Sequence, residues 1–242
     1  MKKITSVNNE LIKELSKLKQ KKYRDERKEF LVEGYHLVEE ARQFLKLVLI
    51  VDEKDEVKGV ENILVTEDVI KKLSSTITPQ NIIGVCRYFS DEDVRYSGKI
   101  ILLDNLQDPG NIGTIIRSSL GFNVDLVVLS KGSCDIYNDK LIRSTQGALF
   151  KVRVIEEDLV DAIKKIKASG VKVFGTSLQN GTPLEKIEKV NNYALILGNE
   201  GNGVRKELLE ITDKNIYIEI DERLESLNVS VASGIIMHYF YK

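Results

Sequence analysis

Five short runs from residue 99 onward are apolar almost throughout: KIILLD, VDLVVLS, VKVFGT, YALILG and NIYIEI. Runs of that length without polar alternation suit parallel strands covered on both faces. Helical spacing lies between them in NIGTIIRSSLGF, NDKLIRSTQGALF, EDLVDAIKKIKASG and GVRKELLE, and SLNVSVASGIIMHYF follows the last run. Strand and helix in alternation predict an open α/β sheet, with ligands at the carboxyl ends of its strands. The first half begins with NNELIKELSKL, where Leu11, Leu15 and Leu18 share a helical stripe. FLVEGYHLVEEARQFL and the runs LVLIV, NILV and NIIGVCRYF follow, with TEDVIKKLSS between the last two. Thr66 is placed to cap that helix, ahead of an acidic first turn of Glu67 and Asp68. The pattern predicts a small α/β domain over residues 1–93, a linker at 94–98 in the polar SDEDVRYSGK, and a parallel-sheet domain over 99–242.

Composition narrows the class without naming a chemistry. The 242 residues are 42% hydrophobic and 30% charged, as in ordinary globular chains. No apolar run approaches the roughly 20 residues that span a bilayer, and MKKITSVNNE has no signal-peptide core, so a cytoplasmic protein is expected. Cys86 and Cys134 are isolated, as are His36 and His238, so neither a disulfide framework nor a metal site is expected. The net charge of −1 conceals a local excess: residues 1–30 hold ten Lys/Arg against five Asp/Glu. Lys19, Lys21, Lys22, Arg24 and Arg27 form a candidate phosphate footprint, and the alternative is a solvated helix face.

Three loops fall after predicted strands: NLQDPGNIGTIIRSS after KIILLD, NEGNG after YALILG, and DERLESLNVSVASG after NIYIEI. The glycines Gly198, Gly201 and Gly203 are spaced GxxGxG, which is neither a dinucleotide fingerprint nor a phosphate loop. Glu200 between them would repel a phosphate. Asn111, after Pro109 and Gly110, also suits a helix N-cap. In a continuous helix Arg117 lies about 600° beyond Asn111, so the two converge only if Asn111 sits in the loop. Ser226 could cap the last helix, whereas Asn228 at an otherwise apolar helix start would need partners.

In order and spacing, DNLQDPGNIGTIIRSS, LILGNEGNGV and ESLNVSVASG resemble the three signature motifs of the SpoU/TrmH branch of the SPOUT RNA methyltransferases. The N-terminal unit with FLVEGYHLVEEA resembles the ribosomal-protein-like RNA substrate domain that many members carry. The resemblance implies a C-terminal deep trefoil knot, a homodimer with sites completed across the interface, and methyl transfer from S-adenosyl-L-methionine to a ribose 2′-hydroxyl. It implies Asn111, Arg117, Glu200, Ser226 and Asn228 as catalytic residues. For the cofactor it implies Thr176, Ser177, Leu178, Gly198, Asn199, Gly201, Ile218, Ile220, Leu227 and Asn228. The sequence departs from the family pattern after Ile218, where Glu219, Ile220 and Glu222 replace Pro, Met and Gly. By analogy the target is ribosomal RNA; the alternatives are a non-catalytic RNA-binding or ribosome-assembly protein and a transfer-RNA 2′-O-methyltransferase.

Overall fold

The computed structural model describes residues 1–90, 93–199 and 201–241, and divides them into two compact units. The first unit holds Met1–Ser90 together with Asp135–Phe150. Its elements are β1 (Lys2–Ile4), α1 (Glu10–Lys17), α2 (Lys21–Arg27), β2 (Glu29–Glu33), α3 (Tyr35–Glu40), β3 (Leu45–Ile50), β4 (Glu61–Val65), α4 (Glu67–Leu73) and β5 (Ile82–Arg87). The strands form a sheet in the order β1-β4-β3-β5-β2, with β2 and β3 antiparallel to β5 and the other pairs parallel. Ile12, Leu15 and Leu18 pack with Val69, Ile70 and Leu73 over Leu49, Ile63 and Val85. Thr66 is the N-cap residue of α4, but its hydroxyl donates to the Thr5 carbonyl, so the expected side-chain cap is not made.

The second unit takes Asp91–Cys134 and Lys151–Lys242. Along the chain come β6 (Lys99–Asp104), α5 (Pro109–Gly121) and β7 (Leu126–Leu129); α6 (Asp139–Thr145) then belongs to the first unit. There follow β8 (Arg153–Glu156), α7 (Leu159–Ala168), β9 (Lys172–Thr176), β10 (Thr182–Pro183), β11 (Tyr193–Gly198), α8 (Lys206–Glu210), β12 (Lys214–Tyr217) and α9 (Val229–Tyr241). Seven strands pair in the order β10-β12-β9-β11-β6-β7-β8, all parallel. The apolar runs therefore are central strands, with β11 flanked by β6 and β9.

Alternation along those strands serves two faces. Ile100, Leu102, Val173, Ala194 and Ile196 point into a core closed by Leu159, Ile163, Ile166 and Leu208 of α7 and α8. On the other face Phe174 and Tyr193 stack against Phe240 of α9, with centroids 5.4 and 4.5 Å apart. α9 in turn packs beside α5, where Ser119 meets Met237.

Three assignments made from sequence change. β8 and β10 were not foreseen: RVIE is four residues long with only two adjacent apolar residues between charged ends, and β10 is two residues long. NIYIEI is a strand only to Tyr217, and Ile218–Ile220 begin the loop after it. Residues 135–150, placed by chain order in the C-terminal domain, pack with the first unit. There Tyr137 stacks on Tyr88 at 3.7 Å, and Phe150 lies against Phe44 and Phe89. Near the predicted linker, Val94 and Tyr96 pack on the core of the second unit.

Candidate functional site

The carboxyl ends of β9 and β12, with the loop after β11 and the start of α9, surround a cavity of about 780 Å³. Sites for small organic ligands fall in this size range, roughly 300–1,000 Å³. Of the residues proposed for the cofactor, Thr176, Ser177, Leu178, Ile218, Ile220 and Leu227 line it, and so does Ser226. Gly198, Asn199, Gly201 and Asn228 are not among the lining residues. Sequence reasoning missed Val204, Arg205, Leu209, Asn215 and Ile236. The first three follow NEGNG closely, a signal that could have been extended, whereas Ile236 enters from α9 by tertiary packing alone. Arg205 and Lys206 bring positive charge to the wall, and Glu210 and Glu225 bring carboxylates.

The glycines of the second motif have separate reasons. A Cβ on Gly198 would lie 2.1 Å from the Gly203 carbonyl carbon and the Val204 nitrogen. The loop thus folds back onto the strand end so tightly that only glycine fits. Gly203 holds a left-handed φ of 67°, which glycine adopts without strain. Gly201 has no such constraint, its nearest neighbour being the Asn199 side-chain oxygen at 3.4 Å. Asn199 ties the loop: its Oδ1 accepts the Gly201 N–H at 2.9 Å and its carbonyl accepts the Gly203 N–H at 2.8 Å. Glu200 lies outside the described residues.

The first and third motifs meet through their asparagines. Asn228 Nδ2 donates to Asn111 Oδ1 at 3.0 Å. The Asn228 Oδ1 accepts from the Ser230 N–H at 2.9 Å and from its hydroxyl at 2.6 Å, and the Asn228 carbonyl accepts the Ala232 N–H. Asn228 is therefore the N-cap of α9, and it is exposed rather than buried. That role corrects the assignment of a cap to Ser226, whose side chain faces the cavity without a hydrogen bond among the described residues. Asp108, not Asn111, caps α5, accepting the Asn111 N–H at 2.8 Å.

Asn111 thus lies inside the helix, and Arg117 is about 600° further along it. The two do not converge; Asn111 turns to Asn228. Arg117 is exposed and has no hydrogen bond or ion pair among the described residues. An unpaired guanidinium carries its five donors ready for a phosphate.

The third loop keeps a turn despite its acidic replacements. Asp221 accepts the Arg223 Nε and Nη2 at 2.8 and 2.9 Å and the Arg223 N–H at 3.0 Å, and Leu224 N–H donates to the Asp221 carbonyl. The hydrogen bonds from the Arg223 side chain hold the Asp221 carboxyl below the usual carboxylate range.

In the first unit the basic block separates into two groups. Arg24 is buried, with Nη1 on the Leu18 carbonyl at 2.8 Å and Nη2 paired with Asp135, so it is a structural ion and not part of a phosphate footprint. Arg27 pairs with Glu29 at 2.8 Å and Glu14 at 3.8 Å. The Lys19 amine donates to the Ser74 carbonyl, and burial pushes its pKa down. Lys21 and Lys22 stay exposed, Lys21 beside Asp25 at 3.1 Å and Lys22 over the Tyr23 ring. Surface pairs of the Lys21 kind contribute at most about 1 kcal/mol. No group of three or more metal-ligating side chains occurs among the described residues, and none of their helices is long and apolar enough to cross a membrane.

Comparison with known proteins adds an independent line. The model of the SpoU rRNA Methylase family matches residues 98–238, and that of the MRM3-like substrate binding domain matches residues 9–84. The chain is 42% identical to the 23S rRNA (guanosine(2553)-2'-O)-methyltransferase RlmP of Bacillus subtilis (strain 168), over 99% of each chain. The structure resembles an AdoMet-bound rRNA methyltransferase from Sinorhizobium meliloti, with a TM-score of 0.91, 28% identity, and 99% and 97% of the two chains covered. It also resembles an RNA 2'-O ribose methyltransferase, with a TM-score of 0.83, 26% identity, and 98% and 97% covered.

Proposed function

Because the chain belongs to the SpoU rRNA methylase family, we propose that it transfers a methyl group from S-adenosyl-L-methionine to a ribose 2′-hydroxyl of 23S ribosomal RNA. The target is the guanosine that the Bacillus subtilis relative is named for. The observation that carries the site assignment is the cavity at the strand ends, walled by Ser226 and Leu227 of the third motif and by the loop of the second. Its residues fit the cofactor. Leu178, Val204, Ile218, Leu227 and Ile236 offer apolar surface to an adenosine and a thioether chain, while Lys206, Glu210 and Glu225 can face an amino acid's carboxylate and ammonium.

Bound there, S-adenosyl-L-methionine supplies a methyl group on a positively charged sulfur. The chain's own residues then have to bring a weak nucleophile into line. Arg117, unpaired and exposed, holds the target phosphate and orients the ribose. A free guanidinium stays protonated at neutral pH, which favours positioning over proton abstraction. Asn111 and Asn228, locked together at 3.0 Å, keep the starts of α5 and α9 at a fixed separation. Glu200, in the same motif as Gly198, is a further candidate at this site. Lys21 and Lys22 supply charge for the RNA backbone.

The reading extends to a cytoplasmic homodimer whose C-terminal unit is knotted, as the family resemblance implies. Val231, Ile235 and Tyr241 of α9 and Leu120 of α5 are large apolar residues 39–50% exposed, and their burial against a second copy would remove them from water. The test is transfer of label from S-adenosyl-L-methionine to bulk ribosomal and transfer RNA from a strain lacking the gene, followed by nucleoside digestion. Label in 2′-O-methylguanosine of 23S RNA is expected. Label only in transfer RNA, or in a methylated base, overturns the assignment.

A further inference from the structure

Among the described residues of the second unit, Asp104 is the charged side chain that is buried, with 1% exposure. It ends β6 in register with Gly198 of β11. Its Oδ2 accepts the Arg205 backbone N–H at 2.9 Å, and its Oδ1 accepts Arg205 Nε at 2.8 Å. Arg205 is the N-cap residue of α8 and has no side-chain cap bond of its own. Asp104 therefore supplies, from a neighbouring strand, the acceptor for the N-cap N–H that an acidic or amide side chain at the third helical position supplies in a capping box. The adjacent Asn105 carbonyl accepts Asn199 Nδ2 at 3.0 Å. Asn199 and Arg205 are thus both tied to the exit of β6, and the Asn199 carbonyl accepts the Gly203 N–H at 2.8 Å.

We propose that Asp104 is a positioning residue for the cofactor: by holding Arg205 at both its backbone and its guanidinium, it fixes residues 202–205 as a preformed wall of the cavity. The inference rests on the assignment of that cavity to S-adenosyl-L-methionine. Asn202, Gly203, Val204 and Arg205 all line it. A wall already ordered costs the cofactor no loop entropy on binding. The clamp also stays closed, because a buried carboxylate without its partner is strongly disfavoured. Asp104 also heads the first motif, four residues before the Asp108 cap of α5.

Asp104→Asn keeps the size of the side chain and one acceptor for the N–H, and removes the charge-assisted bond to Nε. In the cofactor-free protein, hydrogen exchange of the Gly201–Val204 amides should rise about tenfold while β6 and β11 stay protected. By calorimetry the dissociation constant for S-adenosyl-L-methionine should rise about tenfold, and kcat at saturating cofactor should stay within about twofold. Unchanged loop exchange overturns the proposal, and so does exchange rising evenly across the unit with an unchanged dissociation constant. Arg205→Gln, half-exposed and retaining its N–H, should shift loop exchange and affinity in the same direction, and decides the matter if Asp104→Asn does not fold. The double variant should bind no more weakly than Asp104→Asn alone. Effects that multiply would mean that Arg205 acts on the cofactor independently of Asp104, against the proposal. Ala232→Trp, which fills the cavity, separates the two questions. If it binds cofactor as well as wild type, the cavity assignment fails, while the exchange data still report on the clamp.

Discussion

Asn228 Nδ2 donates to Asn111 Oδ1 at 3.0 Å across 117 positions of sequence. The bond joins the first turn of α5 to the cap of α9, two helices that also pack side by side. Asn228 has a double task, since the same side chain accepts from Ser230. Asn228→Ala should lose both, at about 1 kcal/mol for the cap alone. Asn111→Ala should lose only the inter-helix bond and cost less. A double-mutant cycle read by denaturant unfolding is expected to give a coupling clear of zero; strict additivity would show that the contact carries no energy.

Arg117 should separate binding from chemistry. Arg117→Ala is expected to abolish methyl transfer, by more than about a hundredfold, with cofactor affinity nearly unchanged, because the side chain is not among those lining the cavity. Arg117→Lys keeps the charge without the planar fork and should recover only a small part of the rate. Loss of cofactor binding in Arg117→Ala, measured by calorimetry, would place its role in the pocket instead.

The basic block predicts two different phenotypes from neighbouring residues. Lys21→Glu with Lys22→Glu should weaken RNA binding, most visibly as a shallower dependence of affinity on salt, and leave the melting temperature close to wild type. Arg24→Ala removes the guanidinium paired with Asp135, which is 12% exposed, and should cost about 3 kcal/mol of stability in the first unit. Filter binding across a salt series and thermal melting distinguish them; equal melting temperatures would contradict the buried pair.

Among the glycines, Gly198→Ala and Gly201→Ala should differ sharply. The first puts a Cβ 2.1 Å from backbone atoms, and the second meets nothing nearer than 3.4 Å. Calorimetry should show cofactor binding lost in Gly198→Ala and kept in Gly201→Ala. Equal loss in both would mean that the loop needs flexibility rather than close approach.

The two thiols should react in order. Burial pushes the Cys86 thiol far above the usual cysteine range, so little thiolate forms at pH 8 in the folded protein. Cys134 is partly exposed. Mass-resolved alkylation is expected to modify Cys134 first and Cys86 only under denaturant; prompt labelling of both would show that β5 opens readily.

Much of this molecule is written in short-range pattern. The apolar runs 99–104, 172–176 and 193–198 are strands because unbroken β-branched and aliphatic stretches are stable only when covered on both faces. The three polar loops follow from that, since a parallel sheet places them at one edge. What pattern could not supply was decided by packing between distant segments. Arg24 looks like any other cation in KLKQKKYRDERK, and only the arrival of Asp135 buries it. Asn111 looks like a cap until Asp108 takes that place and Asn228 takes the amide. Asp104 reads as the last residue of a strand, and its partner is 101 positions away. Local propensity acts through neighbours a few residues apart, whereas a buried charge or a shared amide is settled by whichever distant group can reach it. The sequence alone determined the central strands, the loops that follow them and the family they resemble; the tertiary structure decided which polar side chains in those loops hold one another and which are left to meet a ligand.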